Sequence, residues 1–283
     1  MSSTPLTDLI HLEKLDDNLF RGQNYRPPWG RVFGGQVLAQ AMNAARRTVP
    51  EDRIMHSMHS YFILSGDIEV PIIYQVDPIR DGKSFNTRRV VAFQKGRAIF
   101  NMSASFQIKE DGFEHQVPMP DVPAPDSLQN DIEWVIENQD KLPPYYKKFV
   151  SGRNVEFRPI ERFDPLNTDK SPPVRRIWLK VEEQLPDDIC IHHEALAYAS
   201  DYNIMSTSLM PHGGEFKFEN IQMASLDHAM WFHRDFRADE WILFEIDSPS
   251  SSNSRGFNRG NFFNQKGELL ASVVQEGLIR NRG

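Results

Sequence analysis

Residues 194–215 read EALAYASDYNIMSTSLMPHGGE, and between the two terminal glutamates they carry one formal charge, Asp201. Ala, Leu, Tyr, Ile and Met recur all around a helical axis instead of along one stripe. That pattern predicts a helix enclosed on most sides by other structure. A carboxylate there is costly, because an ionised group taken out of water without partners loses more than one hydrogen bond returns. Asp201 is therefore paired, protonated or poised for chemistry, the plain alternative being a helix-interior Asp bonded to nearby backbone.

A second run, RVFGGQVLAQAMNAARR at 31–47, has the same character, with no charge between Arg31 and Arg46. Gly34 and Gly35 near its start let backbone or a ligand approach a helix N-terminus, or simply ease packing on a sheet. Strand text follows the 31–47 run: MHSMHSYFIL (55–64), VPIIYQVDPIR (70–80), SFNTRRVVAFQ (84–94) and AIFNMSASFQ (98–107). Turns at Asp81-Gly82 and Lys95-Gly96 join them as antiparallel hairpins. The later run is preceded by a strand pair near Arg158 to Glu183. It is followed by IQMASLDHAMWFH (221–233), EWILFEIDSP (240–249), SRGFNRGNFFNQKG (254–267) and ELLASVVQEGLIR (268–280). Between the two halves lies EHQVPMPDVPAPD (114–126), too rich in proline for a helix or central strand, with a helix expected at Gln129 to Gln139.

Setting Tyr61-Phe62 against Trp231-Phe232, and Gln94-Lys95-Gly96 against Gln265-Lys266-Gly267, superposes the strand regions with shifts of 170 and 171 residues. A helix followed by several antiparallel strands, twice, predicts an α+β fold in which a curved antiparallel sheet wraps one central helix in each half. That is a tandem double hotdog, with an N-terminal hotdog at 1–115, a Pro-rich linker with helix at 116–150 and a C-terminal hotdog at 151–283.

The chain has 283 residues, 40% hydrophobic and 25% charged, enough for two ordinary globular units. A net charge of -7 gives no overall basic footprint for nucleic acid or anionic membrane. One cysteine, Cys190, excludes internal disulfides and Cys-based zinc clusters and suits a reducing compartment. The start lacks a secretory pattern, no apolar run is long enough for a bilayer, and the end LIRNRG lacks a Ser-Lys-Leu type signal, so a cytoplasmic location is expected.

Several catalytic signatures are missing: G-x-S-x-G, G-x-G-x-x-G, a Walker loop around Gly82-Lys83-Ser84, and H-E-x-x-H. His56 with His59, and His228 with His233, point to opposite faces of a strand, so neither makes a two-ligand metal site. Ser225, Asp227 and His228 look like a compressed serine triad. Unbroken strand alternation, however, sends Ser225 and Asp227 to one face and His228 to the other. In LLASVVQEG the alternation puts Leu269, Ala271, Val273 and Gln275 on one face, an amide in register with an apolar row. It is either a core Gln bonded to backbone or a functional group.

The repeat supplies a control. Gln275 corresponds to Ala104, Ser225 to Met55, and the Asp201 helix to a helix without an acid. A duplicated scaffold needs its packing residues in both copies, so polar groups present in one copy mark a site retained there. Asp201, Ser225 and Gln275 form the candidate constellation.

The chain also resembles the acyl-CoA thioesterase II family of double-hotdog hydrolases over nearly its whole length. The resemblance rests on LFRGQ (19–23), VFGGQVLAQA (32–41), HSMHSYF (56–62), DGKSFNTRRV (81–90), YASD (198–201), LDHAMWFHR (226–234), SRGFNRG (254–260) and ASVVQEG (271–277). In that family an Asp, a Thr or Ser and a Gln orient and activate a water that attacks the thioester. The resemblance implies Asp201, Ser225 and Gln275 for these roles. Ser225 departs from the more usual Thr; it keeps the hydroxyl and loses the methyl that stiffens the rotamer.

These readings together predict hydrolysis of medium- to long-chain fatty acyl-CoA to free fatty acid and CoA without metal or organic cofactor. The oxyanion is expected at backbone N–H groups near a helix N-terminus. Arg88, Arg89, Arg255 and Arg259 are candidates for the CoA phosphates, with a solvated or structural arginine as the plain reading of each. The partners expected are the acyl-CoA substrate and further copies of the chain, as homodimer or homotetramer, with no nucleic acid and no stable membrane insertion. A hotdog hydroxyacyl dehydratase or hydratase, built on His56 or His59, and a non-catalytic acyl-CoA-binding module are the alternatives.

Overall fold

The 31–47 run and the first part of the 194–215 run lie on helices that pack against each other. A computed structural model describes residues 4–27, 29–142, 146–147, 150, 152–164 and 169–283. In chain order the first half contains α1 (Leu6–Ile10), β1 (Glu13–Asp16), β2 (Leu19–Gly22), α2 (Gly34–Arg46), β3 (Ile54–Phe62), β4 (Ile72–Asp81), β5 (Phe85–Gln94) and β6 (Arg97–Gln107). A connecting segment carries the short α3 (Asp131–Glu137). The second half contains β7 (Val155–Pro159), β8 (Val174–Val181), α4 (Ile189–Ser200), β9 (Ile221–Ser225), β10 (Asp227–Phe232), β11 (Ile242–Ser252), β12 (Arg255–Asn264) and β13 (Leu269–Asn281).

The α2 helix is buried from Gly35 to Ala45, as a run without an exposed charged face requires. Its three buried polar residues, Gln36, Gln40 and Asn43, share one stripe at helical spacing. Gln36 donates to Asn24 Oδ1 at 2.8 Å, and Gln40 donates to the Leu9 carbonyl at 2.6 Å while accepting from the Tyr74 hydroxyl at 2.7 Å. Asn43 reaches across to the other half and donates to Glu194 on α4 at 3.2 Å. Beside that bond, at the C-terminal end of α2, Arg46 meets Asp188, the N-cap of α4, at 3.0 Å and Glu194 at 2.7 Å. Burial pushes the Glu194 carboxyl up to about 7, against the pull of Arg46 and the Asn43 bond.

Among the described residues, thirteen strands form one antiparallel sheet in the order β1-β2-β4-β5-β6-β3-β10-β13-β12-β11-β8-β7, with β9 pairing β13. The halves join edge to edge at β3 and β10, where His59 stands opposite Ala229. This is a tandem double hotdog. The strands β1 and β2 carry no clear sequence signal, since all four residues of β1 are exposed. The expected helix at Gln129 to Gln139 is shorter, Asp131–Glu137, and is started by a capping box between Asn130 and Glu133. The Pro-rich segment lies on the outer face of the second half. Met119 and Val122 pack there with Trp178, Leu243 and Phe263, and the Trp178 indole donates to Pro123 O at 2.9 Å.

The repeat extends to the defects of the sheet. Register slips by one residue between Met55 and Ser57, between Asp77 and Arg80, and between Ala92 and Phe93. Slips recur at the corresponding places in the second half: between Asp247 and Ser250, and between Phe262 and Phe263, where Leu270 is the extra residue on β13. The third lies at Leu226, because Ser225 stands opposite Gly277 while Ala229 stands opposite Val274. Each bulge inverts which side of the strand faces the core. Two expectations are corrected accordingly. Leu269 leaves the row of Ala271, Val273 and Gln275 and packs outside with Phe263. His228 shares the inner side with Ser225, and Asp227 turns outward to accept from the Glu276 N–H at 2.7 Å.

Candidate active site

The helix expected to run on past Asp201 stops at Ser200, and Asp201 is its C-cap. Two residues later Asn203 takes φ +67, the left-handed conformation that Asn tolerates and that breaks a helix. The remainder of the stretch, Met205–His212, is a 3₁₀ helix. The Asp201 side chain therefore projects from the negative end of its own helix toward the positive end of α2, the terminus opened by Gly34 and Gly35. Its Oδ2 accepts from the Gly35 N–H at 3.0 Å. The closeness needs glycine: a Cβ on Gly34 would stand 2.5 Å from Asp201 Oδ2, and one on Gly35 would stand 2.3 Å from the Tyr198 carbonyl. The group that approaches this helix N-terminus is thus a carboxylate of the other half.

The strand residues meet on the other oxygen. Ser225, the last residue of β9, donates to Asp201 Oδ1 at 3.2 Å. Gln275 on β13, fully buried, donates from Nε2 to the same oxygen at 3.1 Å and lies 2.9 Å from the Ser225 hydroxyl. The structure thus brings the three candidate residues into one hydrogen-bonded cluster. Burial pushes the Asp201 carboxyl up to about 6, although Gln275, Ser225 and the Gly35 N–H all favour the ionised form. The resulting carboxylate is ionised at neutral pH yet basic enough to take a proton. The Phe62 ring and the Met205 thioether border the cluster, Phe62 beside Gly34 and Met205 at 3.6 Å from Ser225 Oγ.

Behind Gln275 stands His228, which the assumption of an unbroken strand had turned away. Its Nδ1 lies 2.6 Å from Gln275 Oε1 and its Nε2 lies 3.0 Å from Ser200 Oγ. Burial holds this imidazole down at about 4, so it is neutral. The serine-triad grouping does not form: Ser225 turns to Asp201, His228 to Gln275 and Asp227 to backbone. His228 was legible by the same control that marked the others, since its counterpart at a shift of 170 is Met58.

Of the candidate arginines, Arg88 is corrected to a structural residue. It is 2% exposed and spends its guanidinium on Thr48, the Arg80 carbonyl and Asp81. Arg89 pairs with Asp77 and Arg259 with Asp247, the same pair in the two copies, and Arg255 pairs with Glu276. These three reach the surface. Among the described residues no cluster of three or more His, Cys, Asp or Glu is arranged to hold a metal ion. No described helix is long and apolar enough to cross a membrane.

The fold places the chain in the class of double-hotdog proteins. A family model described as acyl-CoA thioesterase matches residues 145–278, and one described as acyl-CoA thioesterase N-terminal domain matches 25–107. Acyl-CoA thioesterase 2 of Haemophilus influenzae is 42% identical over 97% of this chain and 98% of its own. Acyl-coenzyme A thioesterase 8 of Homo sapiens is 38% identical over 99% of this chain and 90% of its own. The crystal structure of an acyl-CoA thioesterase II from Mycobacterium marinum superposes with a TM-score of 0.80 at 39% identity, covering 97% of each chain. The chain belongs to the acyl-CoA thioesterase family and is a thioester hydrolase.

Proposed function

We propose that the enzyme hydrolyses medium- to long-chain fatty acyl-CoA with a water activated at Asp201. The observation that carries this is one carboxylate, raised to about 6, that collects the Ser225 hydroxyl, the Gln275 amide and the Gly35 N–H. The water sits against Asp201 with Ser225 and Gln275 fixing its direction, and it attacks the thioester carbon as Asp201 takes its proton. The tetrahedral intermediate expels CoA thiolate. The thiolate recovers the proton from Asp201, leaving the fatty acid, free CoA and the ionised carboxylate. The oxyanion falls to those N–H groups of the first turn of α2 that Asp201 does not take, which have no partner within the helix. No step needs a metal or organic cofactor.

The acyl chain lies along the apolar walls that begin at Phe62 and Met205. Arg255 lines a cavity together with Ser251, Ser252 and Ser254, and is our candidate for the CoA phosphates. With one cysteine, half-buried, the chain suits the cytoplasm, and we expect it to act there as a homodimer or homotetramer. Thiol release from saturated acyl-CoA of increasing length tests the reading, with the maximum expected at medium to long chains. A maximum at acetyl-CoA would refute the chain-length proposal.

A further inference from the structure

We propose that His228 is a positioning residue, which donates from Nδ1 to the Gln275 carbonyl and thereby holds the amide with its NH₂ toward Asp201 and Ser225. The inference rests on the reading of Asp201, Ser225 and Gln275 as the working site. A glutamine amide has two near-equal faces, and rotation by half a turn exchanges its donor and acceptor. At this site only one face works. Asp201 Oδ1, ionised, can only accept, so Gln275 must present Nε2 to it, at 3.1 Å. Oε1 then points away from the carboxylate, and His228 Nδ1 at 2.6 Å supplies the N–H it needs.

The imidazole is itself held. A neutral ring carries its proton on one nitrogen, and the Gln275 carbonyl places it on Nδ1. The bare Nε2 then accepts from the Ser200 hydroxyl at 3.0 Å, on the last residue of the helix that Asp201 caps, the single hydroxyl proton turning to the ring from another acceptor in reach, the Ala197 carbonyl at 2.9 Å. At the backbone, the His228 carbonyl accepts from Ser60 on β3 at 2.8 Å, so the strand beneath the ring is fixed by the other half. Orientation thus passes from Ser200 through His228 to Gln275, and every group in it is buried. Both residues of the central pair are lost together in the first half, where Met58 and Ala104 occupy their places and are buried in the core. An imidazole kept only to fill space would have no reason to follow the glutamine. The bulge at Leu226 is what makes the pairing possible, because it returns His228 to the side of the sheet that Gln275 faces.

Turnover and folding are compared in wild type, His228→Met, His228→Asn, Gln275→Ala and the double variant His228→Met/Gln275→Ala. His228→Met matches the first half and nearly conserves volume, but removes the donor. It should lower kcat about ten- to a hundredfold with KM within about twofold, since the reacting groups are displaced and the substrate site is not. His228→Asn is smaller but keeps an N–H near the Nδ1 position, and should recover most of that loss. In the Gln275→Ala background, His228→Met should cost nothing further. A packing role predicts the reverse order, Met tolerated and Asn impaired, and that result overturns the proposal. If Gln275→Ala keeps full turnover, the reading of the site itself fails. If Gln275→Ala is inactive while His228→Met is not, the positioning role fails alone. Independently of how the variants fold, nitrogen-15 NMR of histidine-labelled wild type should find the His228 proton on Nδ1. A proton on Nε2 would sink the idea.

Discussion

Replacing Asp201 by Asn separates the chemistry of the carboxylate from its cost to the fold. The carboxyl moves from 3.8 to about 6 on folding, chiefly by burial. One pH unit of such a shift is worth about 1.4 kcal/mol, so the ionised carboxylate destabilises the folded enzyme by about 3 kcal/mol above pH 6. Between about pH 4 and pH 6 the folded state holds a proton that the unfolded chain has released. Wild-type stability therefore declines as pH rises through that window, and the loss is complete above the folded value. Asn cannot titrate. Its amide forces one donor to face another, a fixed cost of about 1–3 kcal/mol that does not depend on pH. The stability difference, variant minus wild type, should therefore increase by about 3 kcal/mol from pH 4 to pH 7. His193, His228 and Glu194, also displaced by burial, titrate in both proteins and cancel. Urea unfolding followed by circular dichroism at half-unit steps of pH measures the difference. Thiol release at pH 7 should meanwhile fall about a hundredfold or more. Two parallel stability curves, or an active variant, would refute the reasoning.

Wild-type kcat/KM should fall about tenfold per unit below pH 6, as protonated Asp201 can no longer take the water's proton, with a plateau above; a flat profile from pH 5 to 7 counts against Asp201 as the base. Ser225→Ala should lower kcat strongly while Ser225→Thr stays active, because the same oxygen reaches Asp201; equal activity of both, compared at equal folded fraction, removes the hydroxyl from the mechanism. Gly35→Ala should destabilise the protein by about 1–3 kcal/mol, since its Cβ would stand 2.3 Å from a backbone carbonyl that a side-chain rotation cannot relieve; an unchanged urea midpoint contradicts the close approach of α2 and α4. Exhaustive chelation should leave turnover unchanged, and loss restored by a divalent ion would point to a metal.

The large features were legible because they repeat. Apolar periodicity and the shift of 170 residues sufficed to place both helices and the main hairpins. The candidate site was legible to the extent that it breaks the repeat: Ser225 and Gln275 are polar where the first half has Met55 and Ala104, and Asp201 is an acid where α2 has Arg47 as its C-cap. What escaped were single-residue events. Leu226 and Leu270 are bulges, and a bulge has no fixed residue type, so alternation carried through them put His228 and Leu269 on the wrong sides. The stop at Ser200 depends on Asn203 adopting a left-handed backbone, which Asn tolerates but does not impose. Arg88 illustrates a different limit. A buried and a solvated arginine look alike in sequence, and Thr48 and Asp81, which satisfy it, come from separate segments.

The two ends of the helix pair have met different fates. Where the C-terminus of α4 meets the N-terminus of α2 stands Asp201; where the C-terminus of α2 meets the N-terminus of α4, Arg46 bridges Asp188 and Glu194. In a dimer of identical single-helix chains the dyad would write every residue twice, and an acid chosen for one junction would be imposed on the other. Fusion of the copies lifts that obligation. One junction holds a buried carboxylate and, under the proposed mechanism, the chemistry, while the opposite junction is free to become an ion-paired clasp. Substitutions at the clasp can then adjust how firmly the two helices are joined without being copied into the Asp201 junction.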